Sequence, residues 1–194
     1  MIVYEIDGKV YINTTNRCSN SCTFCVRTTS DEYAKYDLWL KKEPSIEEII
    51  SALDTHLDKQ EYVFCGYGEP LYRLDAILNV GKYLKAKGKT VRVNTNGQAD
   101  LIIGKGVADL LVGCVDIVSI SLNEVTAKDY QEICRCRYGE EGYHSMLRFA
   151  SDCVKAGLKV KMSVVDIIGK EKLDKAKEIA ESIGAELRVR ELIE

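Results

Sequence analysis

The chain has 194 residues, of which 46% are hydrophobic and 29% charged, with a formal net charge of -3. This is the composition of one folded domain with a full apolar core, and it excludes a disordered chain. Charges are interspersed, which argues against nucleic acid as a partner, and no apolar run nears the ~20 residues of a membrane span.

The opening MIVYEIDGKVYI lacks the basic-then-apolar build of a secretion signal, so the expected location is cytoplasmic. VYINTT (10–15) is a predicted strand that runs directly into NRCSNSCTFCVR (16–27). No element is assigned across 26–43. Ser45 and Glu48 are spaced as a capping box that opens the helix IEEIISALDTHL. YVFCG (62–66) is a strand, and LDAILNVGKYLKAKG is a helix closed by Gly88. TVRVNTNG (90–97) is a strand, a short helix lies around 100–111, and VDIVSISLN (115–123) is the next strand. The helix GYHSMLRFASDCVKAG precedes the strand KVKMSVVD (159–166), and the helix EKLDKAKEIAESIG precedes the last strand, ELRVREL (186–192).

Six strands alternating with helices predict an α/β fold with a parallel sheet, in a single domain spanning 1–194. Alternate side chains on a strand face opposite ways. Arg92, Asn94 and Asn96 therefore oppose Val91, Val93 and Thr95, and Ser119, Ser121 and Asn123 oppose Val118, Ile120 and Leu122. Lys161 and Ser163 oppose Val160, Met162 and Val164, and Arg188 and Arg190 oppose Val189. A doubly wound sheet would be apolar on both faces. One polar face instead predicts an incomplete (β/α)6 barrel of the TIM type, with helices outside and an open concave side.

The chain has eight cysteines, and Cys18, Cys22 and Cys25 fall within eight consecutive residues after the first predicted strand. In a reducing compartment such a group reads as metal or cluster ligation rather than as disulfides. Structural zinc takes four protein ligands, so Cys65 or His56 would have to supply a distant fourth. A [4Fe-4S] cluster on three thiolates instead leaves one iron open to a small molecule.

CSNSCTFC resembles the CxxxCxxC signature of the radical S-adenosylmethionine (radical SAM) superfamily, with Phe24 before the last cysteine, where the superfamily carries an aromatic residue. CGYGEPL (65–71) is similar to its GGEP-like motif, with Gly68, Glu69 and Pro70 matching and Tyr67 in place of a glycine. The likeness implies that Cys18, Cys22 and Cys25 ligate a [4Fe-4S] cluster whose open iron takes the methionine end of S-adenosylmethionine. Backbone at Tyr67, Gly68 and Glu69 would receive the amino group. Asn96, Ser121 and Asn123 would meet ribose and carboxylate, and Val165 the adenine. It further implies reductive cleavage of the cofactor, a 5'-deoxyadenosyl radical that takes hydrogen from substrate, and a flavodoxin- or ferredoxin-type reductant. TNRCSNSCTFCVR, FCGYGEPLYRLD, VRVNTNG, VSISLN and RVREL together look like the radical SAM proteins associated with TatD-like metal hydrolases, which implies such a hydrolase as partner. A more distant likeness is to 7-carboxy-7-deazaguanine synthase, which carries a longer insertion after the first cysteine and implies deazapurine or queuine chemistry.

On the substrate side, Arg188 and Arg190, with Lys161 and Arg92, are candidates for binding a carboxylate or phosphate, arginine being suited to planar anions. The alternative is internal pairing with acids such as Asp116 or Glu191. Arg27 either tunes the charge beside the cluster or caps the loop. Cys134 and Cys136 are too few for a second cluster unless Cys65, Cys114 or Cys153 joins them, and Cys65 and Cys153 read as packing residues. No residue is assigned to acid–base or nucleophilic catalysis. An iron–sulfur structural or electron-transfer protein without turnover is the reading of a different class.

Overall fold

The computed structural model describes residues 1–29 and 36–191. Its centre is a seven-stranded sheet in simple sequential order. The strands are β1 (Val3–Ile6), β2 (Lys9–Ile12), β3 (Glu61–Phe64), β4 (Thr90–Thr95), β5 (Ile117–Ser121), β6 (Lys159–Val165) and β7 (Glu186–Arg190). From β2 to β7 every pairing is parallel. Among the described residues the first and last strands do not pair, so the barrel stays open. The predicted six-strand parallel barrel is present in full. The final strand stops at Arg190, and residue 192 of its predicted span lies outside the described residues.

One strand, β1, goes beyond the sequence reading. It pairs antiparallel with β2, from Val3 opposite Ile12 to Ile6 opposite Lys9. The turn is Asp7-Gly8, with φ of 49° and 73°. That is the two-residue hairpin geometry that matches strand twist, and Asp-Gly supplies it at least cost. Gly8→Ala leaves space unchanged, since nothing lies near the position of a Cβ, but puts a side chain at positive φ. It is expected to lower stability by ~1 kcal/mol in urea unfolding.

The helices are α1 (Val26–Thr29), which follows the cysteine loop and brings Val26 to the cavity, and α2 (Ile46–Leu53), α3 (Leu74–Ala86), α4 (Ala99–Ile103), α5 (Ala108–Leu111), α6 (Ala127–Cys134), α7 (Glu141–Lys155) and α8 (Lys170–Ile183), whose apolar sides pack on the main core. The capping box at α2 is formed, with the Ser45 hydroxyl accepting from Glu48 N and the Glu48 carboxylate accepting from Ser45 N. The helix predicted around 100–111 is two helices, broken where Gly104 turns left-handed at φ 80°. A further helix, α6, occupies what read as a connection; Thr126 caps it by accepting from Asp129 N.

The alternation along the strands explains the layers. Val91, Val93, Val118, Ile120, Val160, Met162 and Val164 are all 0–3% exposed and pack under the helices. Fully burying such side chains stabilises the fold by ~1.5–3 kcal/mol each. Their polar neighbours are left on the concave side. Among the described residues no helix is long and apolar enough to cross a membrane.

Candidate active site

At the carboxyl ends of the strands a cavity of about 280 Å³ opens. Three segments build its walls. The loop after β2 brings Cys18, Asn20, Cys22, Phe24 and Cys25; the loop after β3 brings Cys65, Gly66, Gly68 and Glu69; the ends of β4 to β7 bring mainly Asn, Ser, Thr and Arg side chains.

Two glycines bring the first two loops together. A Cβ on Gly66 would collide with the Asn13 side chain, and one on Gly68 with the Thr15 carbonyl oxygen. Close approach lets Glu69 N donate to Arg17 O at 2.7 Å. The Glu69 carboxylate, 3% exposed, then accepts from Thr95 Oγ1 at 2.8 Å, Asn96 N at 2.7 Å and Leu71 N at 3.1 Å. Burial pushes this carboxyl up to about 7, against those three hydrogen bonds, which favour the charged form.

A raised carboxyl has a definite sign in folding. The folded group keeps its proton up to about 7, whereas its ordinary value is 4.5. Stability held by the protonated form is complete below the lower value and is lost as pH rises through the higher one. Comparing urea unfolding of the cofactor-free chain with Glu69→Gln between these limits should show a relative loss in the native protein approaching ~3 kcal/mol. Parallel pH profiles for the two proteins would refute it.

Beneath the cysteine loop lies a buried polar network. Asn96 Nδ2 donates to Ser19 Oγ at 2.8 Å, Gln98 Nε2 donates to Asn20 Oδ1 and Tyr130 OH at 2.9 Å each, and Asn20 Nδ2 donates to Tyr130 OH at 3.0 Å. On its other side the loop is laced to residues 133–137. Ser21 N donates to Cys134 O, Thr23 N to Ile133 O and Arg137 N to Ser19 O, each at 2.9 Å. Along that segment Cys134 and Cys136 turn inward and Arg135 and Arg137 outward.

The thiols are held in the neutral form. Burial pushes Cys18 up to about 12, assisted by the Glu69 charge. The thiol contact with Cys134, then burial, raises Cys22, while burial raises Cys25 against the nearby Arg27. Ligation would draw off these protons. Among the described residues no three His, Cys, Asp or Glu side chains converge as a single-ion site requires. His56 is instead engaged with Glu5, Nδ1 to Oε1 at 2.6 Å.

Of the residues singled out from sequence, Cys18, Cys22, Phe24, Cys25, Gly68, Glu69, Asn96, Ser121, Asn123, Arg188 and Arg190 line the cavity. The others sit elsewhere. Tyr67 is 4% exposed and packs edge-on against Trp39, with ring centroids 5.2 Å apart. Val165 is buried in register with Arg190. Arg27 Nη2 donates to Asn20 O at 2.9 Å, capping the cysteine loop. Arg92 pairs with Glu61 at 3.3 Å and Lys161 with Glu186 at 3.5 Å, both lower on their strands. Asn94, Ser119 and Ser163 complete the polar wall, as the alternation on β4, β5 and β6 had indicated, and Asn20, Cys65, Gly66 and Thr95 join them from the loops and strand end.

Known proteins resemble this chain in sequence and fold. The model of the Radical SAM superfamily matches residues 12–183. A Methanocaldococcus jannaschii protein, provisionally named a glycyl-radical enzyme activating enzyme, is 30% identical over 139 residues, which are 71% of this chain and 53% of that protein. The chain thus spans about half the length of the curated relative it matches. Among solved structures, Streptococcus suis SuiB bound to precursor peptide SuiA superposes with a TM-score of 0.73 at 16% identity, over 98% of this chain and 40% of SuiB. HydG, a maturase of the [FeFe]-hydrogenase, gives 0.69 at 14% identity, over 95% of this chain and 42% of HydG. A Sphaerobacter thermophilus radical SAM methyltransferase gives 0.62 at 12% identity, over 97% and 68%. The chain belongs to the radical SAM superfamily, whose enzymes use a [4Fe-4S] cluster and S-adenosylmethionine.

Proposed function

We propose that this radical SAM chain holds its cluster on Cys18, Cys22 and Cys25 and acts on a small, anionic substrate seated before Arg188 and Arg190. The observation that carries the reading is that the three cysteines and the two arginines line one cavity. The donor set fits the cofactors: three cysteines leave an iron position open, and Asn94 Oδ1 is buried in the cavity wall without a hydrogen-bond partner among the described residues. The bound cluster and S-adenosylmethionine supply reductive carbon–sulfur cleavage and a radical that takes hydrogen from substrate.

The chain's own residues orient and shield. The backbone of 66–69, pinned to the cysteine loop, receives the methionine end. Asn96, Ser121 and Asn123 would meet ribose and carboxylate, and Val165, buried in register with Arg190, would lie near the adenine. Phe24 adds an aromatic side chain to the cavity lining beside the cysteines. Arg188 and Arg190 bind a carboxylate or phosphate, while Arg92 and Lys161 support the strands. Residues 1–194 constitute a single radical SAM core, working in the cytoplasm with a flavodoxin- or ferredoxin-type reductant. Likeness to the TatD-associated proteins supports a TatD-like hydrolase as partner, and deazapurine or queuine metabolism remains a narrower substrate class.

A second reading has its own support. The M. jannaschii relative's name concerns activation of a glycyl-radical enzyme, and by analogy this chain would act on a loop of another protein. The open side of the sheet would admit such a loop.

Electron paramagnetic resonance of the anaerobically reconstituted, reduced protein tests the proposal. A [4Fe-4S]¹⁺ signal that changes with S-adenosylmethionine is expected. A signal indifferent to the cofactor would leave an electron-transfer protein, and bound zinc without a cluster would overturn the reading.

A further inference from the structure

We propose that Arg135 and Arg137 form the docking surface for the protein that delivers the electron, a small acidic one-electron carrier. The inference rests on the proposed reading that the cysteine loop holds a reducible cluster.

Charge placement sets this surface apart. The chain has a formal net charge of -3, yet residues 16–27 hold two arginines and no acid, and residues 133–137 hold two more and no acid. Main-chain bonds through Ser19, Ser21 and Thr23 seat the second segment against the first, so arginines of both surround one loop. Glu43 takes up Arg17 and Asp75 takes up Arg73. Among the described residues no carboxylate pairs with Arg135 or Arg137, and the acid nearest in sequence, Glu132, is exposed and bonded to neither.

Both guanidiniums are exposed and held in place. Arg137 Nη1 donates to Tyr72 OH at 3.5 Å, and its guanidinium lies over the Tyr138 ring, 5.4 Å from the centroid. Arg135 is turned outward by its left-handed φ of 47°, with its N donating to Gln131 O. Charges fixed before contact lose less freedom on docking, and arginine is enriched at protein interfaces. Tyr72 and Tyr138 each already carry a guanidinium on a ring face, so the patch offers charge rather than stacking for a base.

Position supplies the link to electron entry. Along the cysteine loop, Cys18, Asn20, Cys22 and Phe24 line the cavity, whereas Ser19, Ser21 and Thr23 between them bond to residues 133–137. Neither Arg135 nor Arg137 lines the cavity. A single loop therefore separates the patch from the cavity, and a carrier docked outside leaves the substrate side free. One electron passes from a flavin hydroquinone, which becomes the semiquinone, to the [4Fe-4S]²⁺ cluster, which becomes [4Fe-4S]¹⁺. Opposite charge on the carrier steers the encounter.

Anaerobically reconstituted wild type is compared with Arg135→Glu/Arg137→Glu and with a control of equal net charge, Lys87→Glu/Lys155→Glu. Both control positions are exposed and lie where helices lead into strand starts, at the end of the barrel away from the cavity. Stopped-flow mixing with the hydroquinone of an acidic flavodoxin reads cluster reduction, and reduced methyl viologen, a small cation, replaces it in parallel. At low ionic strength the arginine reversal is expected to slow reduction by flavodoxin at least ~10-fold, a difference that fades as salt is added. The control stays near wild type, and methyl viologen reduces all three proteins alike. Affinity for oxidised flavodoxin falls in parallel, in cluster-free and loaded protein. A reversal variant that matches the control with flavodoxin would overturn the inference. So would one that is equally slow with methyl viologen, since the loop itself would then be disturbed, or a single-stranded oligonucleotide that displaces flavodoxin from wild type but does not bind the reversal variant. Absence of a cluster from wild type would remove the cluster reading, while the flavodoxin titration would still decide whether the surface binds.

Discussion

Alanine in place of Cys18, Cys22 or Cys25 is expected to abolish cluster binding and reduce 5'-deoxyadenosine formation to background, while the fold survives. Three thiolates are the whole protein ligand set in the proposed site, and none is spare. Cys65 lines the same cavity but comes from the separate loop after β3, and Cys134 accepts from Asn123 Nδ2. The scaffold depends little on the thiols themselves. Main-chain bonds fix the loop through Ser21, Thr23 and Arg137, and the buried amides of Asn20 and Gln98 fix it from below. Each cluster-free variant should therefore unfold within ~1 kcal/mol of wild type in urea. Iron content and the product assay read the first outcome, and denaturation reads the second. A single alanine variant that retains a full cluster would remove that cysteine from the ligand set.

Gly68→Ala should be nearly as damaging, by a different route. The added carbon would press on the Thr15 carbonyl oxygen and lie 2.6 Å from Arg17 O. Both are backbone atoms and cannot rotate aside. The loops would have to part, breaking the Glu69 N to Arg17 O bond and tilting the Glu69 carboxylate away from Thr95 and Asn96. Overpacking of this kind costs ~1–3 kcal/mol. The distortion falls where the cofactor's amino group is proposed to bind, so affinity for S-adenosylmethionine should drop at least ~10-fold. Gly106→Ala is the control, since nothing lies within 4 Å of its Cβ position and its φ is not positive. Calorimetric titration of reconstituted protein would compare the two. Equal affinities would dismiss the close approach at Gly68 as irrelevant to binding.

Much of this architecture could be read in the residues. Period-two alternation of Val and Ile with Asn, Ser and Arg declared which sheet face met the helices and which met the cavity, because burial on one side leaves a trace at every second position. Local chemistry also marked the α2 cap. The β1–β2 hairpin was missed although Asp7-Gly8 announced it, because the strands on either side are only four residues each. Helix α6 was missed for a physical reason: AKDYQEIC is short and mostly polar, and it is held by its cap and by packing with α7. The basic residues were harder. Alternation placed Arg92 and Lys161 on the same face as Arg188 and Arg190, but not at the same height. Their partners Glu61 and Glu186, which hold them near the strand starts, become neighbours only through register.

The lacing of the cysteine loop to residues 133–137 has a consequence for how the molecule is made. These contacts join segments more than a hundred positions apart, and distant pairings form late because loop closure must precede them. During synthesis the three thiols emerge long before the segment that shields one side of them. Three bare thiols are thus open to oxidants and stray metals until the second half of the chain has folded. Pulsed alkylation during refolding should find Cys22 reactive through most of the reaction and protected only in its final phase. Early protection would mean that the loop organises locally, before its partner arrives.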